Sequence, residues 1–217
     1  MRLRVALLLA LLVATAAAGP VTAAGNAFKF SAAGKGAEAF WSTIPDTGPV
    51  QNVAYTDTFI VVADQKVTVD GSTFTDAYLF FDQFTYKFDR NWNFVPLSDT
   101  FGSAGLPDVS ISVDKNLLSA TASATASSVT CTFGRRGTCT DGPSVAISAS
   151  WTGTGDIIRT GGNFRANSKS FTYTSHDKGS FRDATASASI GGLSTGTLFF
   201  ARIFNVSYHE VSVCHGC

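Results

Sequence analysis

From Ala27 onward apolar and polar positions alternate with a period of two, the pattern of strands that bury one face and wet the other. Thr58 to Val62 and Lys66 to Val69 read as short strands, and Gly71-Ser72 marks a turn. The run Ala77 to Phe88 follows, with Tyr78, Phe80, Phe84, Tyr86 and Phe88 on one face and Asp82 among them. Asp89 to Asn93 reads as a turn-rich tip. Val109, Ile111 and Val113 alternate up to a turn at Asp114-Lys115-Asn116. From Leu117 to Val129, alanines share a face with Ser and Thr opposite. Alanine is a weak strand former, so a helix is the rival reading, but the alternating hydroxyl residues favour strand. Val145, Ile147, Ala149 and Trp151 continue the pattern, followed by Phe171 and Tyr173 and then Ala184 to Ile190. Thr195 to Tyr208 is apolar on both faces over Leu198 to Phe204, as expected of a strand covered on two sides. Many short strands with Gly, Asp and Pro turns predict an all-β, single-domain antiparallel β-sandwich, with a closed β-barrel as the alternative.

The first residues break this pattern. Arg2 and Arg4 precede an uninterrupted apolar run from Val5 to Ala18, too short to span a bilayer and ending in small residues. Residues 1–24 are therefore expected to be a secretory signal peptide cleaved after Ala23 or Ala24, with Ala18 as the alternative point. Residues 25–217 form one all-β domain with a short cysteine-containing tail. The expected location is secreted: extracellular, or periplasmic in a two-membrane bacterium. Removing Arg2 and Arg4 from the 16 Lys and Arg residues leaves 14 against 16 Asp and Glu. A near-neutral chain without a basic cluster gives no footprint for nucleic acid, and no second apolar segment predicts a membrane span in the mature protein.

Export changes the reading of the four cysteines, Cys131, Cys139, Cys214 and Cys217, because an even count in an oxidising compartment points to disulfides. Cys131 and Cys139 flank Gly134-Arg135-Arg136-Gly137, and a hairpin centred there sets the sulfurs opposite each other. Cys214-His215-Gly216-Cys217 is expected to be structural, bonded within the tail or to the hairpin. Zinc would need both cysteine pairs to meet, and a redox motif would need a helix start.

Chemistry is thinly signalled. There is no G-x-S-x-G elbow and no H-E-x-x-H, and His176-Asp177 reads as the solvated tip of a turn over Ser175 to Gly179. Asp89-Arg90-Asn91-Trp92-Asn93 opens like a calcium loop, but Phe94 and Thr100 replace its required glycine and glutamate. Only two glutamates occur, Glu38 and Glu210, and no carboxylate pair stands out for glycoside hydrolysis. No catalytic residue, metal or cofactor is called for. Asp82 and Arg202 each interrupt an aromatic face, and because a lone buried charge is costly they are candidates for a mutual ion pair.

The favoured function is a non-catalytic binding or surface-interaction protein. Carbohydrate, or another extracellular surface, is its leading partner, with Trp41 and Trp92 near turns as candidate ligand platforms and Trp151 in the core. The alternatives are a secreted hydrolase, to be recognised by converging carboxylates with a raised pKa, and a small-molecule carrier with a phenylalanine-walled lumen.

Overall fold

The structure, a computed structural model, describes residues 27–134 and 137–215. The expected export signal lies outside the described residues. Eleven strands and no helix occur among the described residues: β1 (Ala27–Ser42), β2 (Ala54–Val69), β3 (Ser72–Phe88), β4 (Phe94–Gly105), β5 (Val109–Val113), β6 (Ser119–Thr132), β7 (Thr138–Asp141), β8 (Val145–Gly153), β9 (Ile158–Asn167), β10 (Phe171–Ile190) and β11 (Thr197–Cys214).

All strand pairings are antiparallel, in the order β11-β1-β2-β3-β4-β6-β8-β10, and β10 pairs back onto β11. Two long strands turn the corners. β6 pairs with β8 over Ser119–Ala126 and with β4 over Ser127–Thr132. β10 pairs with β8 over Ala184–Ile190 and with β11 over Phe171–Asp183. Strands that change neighbours along their length join two facing layers without a loop. β5 and β7 flank β6, and β9 lies outside β10.

The core fills the space between a small sheet (β6, β8 and the end of β10) and a large one (β11 and β1 to β4). The small sheet supplies Ala120, Ala122, Ala124, Ala126, Ile147, Ala149 and Trp151, with Ala184, Ala186 and Ala188 packed at the margin. The large sheet answers with Ala37, Ala39, Trp41, Ile60, Val62, Leu79, Phe81 and Ile203. Alanine holds strand conformation here because its methyl groups let the sheets approach, while a few large side chains fill the gap. The alternation expected for β6 is present, with Thr121, Ser123 and Thr125 exposed opposite the alanines.

Three expectations are corrected. Of 18 phenylalanines only Phe81 belongs to the core cluster, so the interior is not walled by phenylalanine. The stretch Ser175 to Gly179 is mid-strand in β10, not a turn. β11 is not covered on both faces: Ala201 and Ile203 are buried, whereas Phe199 and Phe200 are exposed. β1, central between β11 and β2, carries Gly34 and Gly36 and gives a poor strand signal. Gly36 is required because a Cβ there would collide with the Val62 carbonyl and the Phe204 ring.

Candidate functional site

The outer face of the large sheet holds the chemistry. Strand register lays its side chains in rows that cross several strands. One row runs Phe200, Phe40, Phe59, Asp82, Phe101. The next row toward one end is Asp57, Phe84, Asp99, and beyond it Tyr55 faces Tyr86 and Phe88 faces Phe94. Toward the other end the rows are Arg202, Glu38, Val61, Phe80, and then Phe204, Gly36, Ala63, Tyr78. Period-two alternation thus places aromatic rings outside, where the small sheet places Ser and Thr.

At the first end the rings form one connected cluster. Phe84 and Phe94 lie nearly parallel at 5.9 Å between centroids, Tyr86 sits 4.9 Å from Phe94, and Phe133 meets Phe84 edge-on at 6.0 Å. Trp92 leans on Phe88 at 6.1 Å. Neighbouring loops tie in: Gln51 donates to the Arg90 carbonyl, Phe133 N to the Leu97 carbonyl, and Val50 N to the Tyr55 hydroxyl. Trp92, 55% exposed, crowns the tip with φ +63°. Asp89 folds that tip, its carboxylate accepting from Asn91 N, Asn93 N and Asn93 Nδ2, and these bonds hold its pKa below the usual value. Both oxygens of Asp89, the first ligand such a calcium loop would offer, are engaged in the turn itself.

Beside the cluster, Asp57, Asp82 and Asp99 stand on adjacent strands among phenylalanines. Each has a buried Oδ1 without a hydrogen-bond partner. Burial pushes Asp82 up to about 7, and its hydrogen bond and charge contact with Asp99 add to the shift. A second carboxylate beside it disfavours the charged form of Asp82. Burial, with Asp57 beside it, raises the Tyr86 phenol to about 12.

At the other end Arg202 Nε donates to Glu38 Oε1 in an ion pair, and the Arg202 guanidinium lies 5.3 Å from the Phe181 ring centroid. Glu38 is 3% exposed and Arg202 27%. Burial raises the Glu38 pKa, and Arg202 opposes the shift. Phe30, Ala32, Tyr78, Phe204 and Val206 join the pair around a pocket of about 140 Å³. Further along, Tyr173 and Tyr208 both donate to Glu210 Oε2, at 3.0 and 2.6 Å.

No protein-family model, curated protein or solved structure matches this chain. Cys131 and Cys139 are register partners and form a disulfide, which excludes bonding from tail to hairpin. Cys214 is also disulfide-bonded, and Cys217 lies outside the described residues. Trp92 stands exposed, but Trp41 is 3% exposed within the core, so it offers no platform: its strand turns that side chain toward the small sheet. Arg202 pairs with Glu38 rather than Asp82. Asp82 lies three strands away and one row over, about 14 Å at the usual strand spacing. Glu38 is the ion-pair partner that patterning missed, and its signal was a single acidic side chain in an Ala/Gly strand.

Proposed function

We propose that the protein is an exported, non-catalytic binding protein that holds carbohydrate on the aromatic end of its large sheet. The scaffold is read as a flattened closed barrel, because the pairings return from β10 to β11, with the sandwich-like core between its two walls. Trp92 carries the reading. A bulky residue at φ +63° sits where Gly or Asn would be unstrained, and its ring is half in water against Phe88, at the edge of the cluster that holds the exposed Phe94 and Phe133. Folding does not call for a tryptophan there. A flat apolar ring near carboxylates suits the apolar face and hydroxyl groups of a sugar, and Asp57 and Asp99 flank the same cluster. Cleavage of residues 1–24 and release from the cell belong to this proposal.

The test is a glycan array with the 25–217 protein, repeated with Trp92→Asn, which fits the left-handed backbone. Binding to one glycan class, weakened about tenfold or more in the variant (about 1.4 kcal/mol), is expected. A flat array overturns the proposal.

The Asp82–Asp99 pair favours one second reading, a hydrolase, since converging carboxylates with a raised pKa suit acid–base chemistry. Glycoside hydrolysis, however, needs about 5–10 Å between its carboxyls. Asp82 and Asp99 are in direct contact, and Phe84 stands between Asp57 and Asp99 in their row. Turnover of aryl glycosides abolished by Asp82→Asn would move the assignment to an enzyme.

A further inference from the structure

We propose that the Glu38–Arg202 pocket is a second binding site, for a small neutral molecule with an apolar ring or short chain and a single hydroxyl: a phenol or a short alcohol. The pocket lies several rows from Trp92 on the same face, so the inference does not rest on the carbohydrate reading.

Size comes first. A volume of about 140 Å³ is close to that of an apolar cavity of about 150 Å³ that takes benzene. One six-membered ring fits, and a sugar chain or a long acyl chain does not. The walls at Phe30, Ala32, Phe204 and Val206 are apolar and favour a hydrocarbon body by the ordinary transfer free energy.

Polar groups select the head. Arg202 gives Nε to Glu38, and its two Nη groups have no partner among the described residues. The Tyr78 hydroxyl is likewise without a partner and stays protonated, because burial and the charges of Asp76 and Glu38 raise it to about 12. Only one Glu38 oxygen bonds Arg202, which leaves the other as an acceptor in a residue that lines the pocket. Donors and an acceptor therefore line one pocket. A hydroxyl satisfies both, donating to Glu38 and accepting from Arg202 or Tyr78.

Charge sets the remaining condition. Arg202 is already matched by Glu38, and Asp183 is its register partner on β10. A carboxylate head would bring another anion to a guanidinium that is already neutralised. An ammonium head would meet the guanidinium and leave its Nη groups unsatisfied. A neutral head keeps the buried pair intact, which matters because breaking one costs far more than it gains.

The test uses the 25–217 protein at pH 7.5 with four probes of one shape, p-cresol, toluene, benzoate and benzylamine, followed by NMR titration and calorimetry. Saturable p-cresol binding at least tenfold tighter than each of the other three is expected. Shifts should centre on Phe204 and Tyr78, and Ala32→Phe, which fills the pocket, should abolish them. Glu38→Gln leaves Arg202 with a free charge and should reverse the order, so that benzoate binds better than p-cresol. The proposal is overturned by no p-cresol binding, by toluene, benzoate or benzylamine within threefold of it, or by binding that survives Ala32→Phe. The probe series on the unaltered protein decides even if Glu38→Gln does not fold.

Discussion

The small sheet and the large sheet obey the same alternation and spend their side chains in opposite ways. In β6 and β8 the inward positions are mostly alanine and the outward ones mostly Ser or Thr, so this wall makes half of the core. In β1 to β4 and β11 the inward positions are mostly Ala, Ile, Val and Leu with Trp41 and Phe81 among them, and many of the outward ones are aromatic rings with embedded carboxylates. A stable fold needs only one apolar face per sheet. The second apolar face of the large sheet is surplus to folding, and for that reason it is where binding is sought.

The comparison is broken most directly at Trp151, which is 1% exposed and donates Nε1–H to the Glu38 carbonyl at 3.0 Å, joining the small wall to the strand that holds the pocket. Trp151→Ala is expected to cost about 3–5 kcal/mol in urea-melt stability. Removing the Cys131–Cys139 bridge with a paired Ser substitution should cost about 2–3 kcal/mol on the chain-entropy model, read from the same melts without reductant. Next comes overpacking. Ala122→Leu pushes a longer side chain between the walls and should cost about 1–3 kcal/mol, whereas Thr121→Val, one residue away on the wet face, should stay within about 0.5 kcal/mol. Equal costs at 121 and 122 would mean that the small wall does not have one dry and one wet side.

Those contrasts also explain what patterning could reveal. The alanine strands were legible because small and hydroxyl residues alternate without interruption from Ser119 to Ser127, and the hairpin bridge was legible because Cys131 and Cys139 flank a symmetric turn. The large sheet was harder to read. When both faces are apolar, alternation no longer says which side is the core, so Tyr78 to Phe88 gave a strand without an orientation, and Trp41 could be taken for a surface ring. The Arg202 partner was hidden for a different reason. Glu38 lies 164 residues away in sequence, and only the register of β1 on β11 brings the two together.

The carboxylates sharpen the comparison through pH. Asp82 titrates at about 7 in the folded chain, against about 3.9 unfolded. Below about pH 4 both states are protonated and nothing is lost. Between about pH 4 and 7 the unfolded chain has released a proton that the folded chain keeps, so stability falls as pH rises and levels off above 7. Glu38, also raised by burial, tilts the same way. Urea midpoints measured from pH 4 to 8 should therefore decline, and Asp82→Asn should reduce the decline. The Ser and Thr face of the small wall contributes no slope of this kind. Midpoints that rise across this window would mean that burial does not raise Asp82 in the folded chain.

Among the tryptophans the smallest effect on stability is expected at Trp92, where the effect on function should be largest. Truncating its ring removes one tilted contact with Phe88 and an apolar surface that is already half in water. Placing Asn at φ +63° relieves a backbone conformation that tryptophan tolerates poorly. The two contributions oppose each other, so Trp92→Asn should move the melt by less than about 1 kcal/mol while weakening glycan binding about tenfold. That split separates a ring kept for its outer face from one kept for packing. A loss of 3 kcal/mol or more, of the order expected for a core tryptophan, would place Trp92 with Trp151 as part of the fold, and the aromatic end of the large sheet would then be a second core rather than a binding surface.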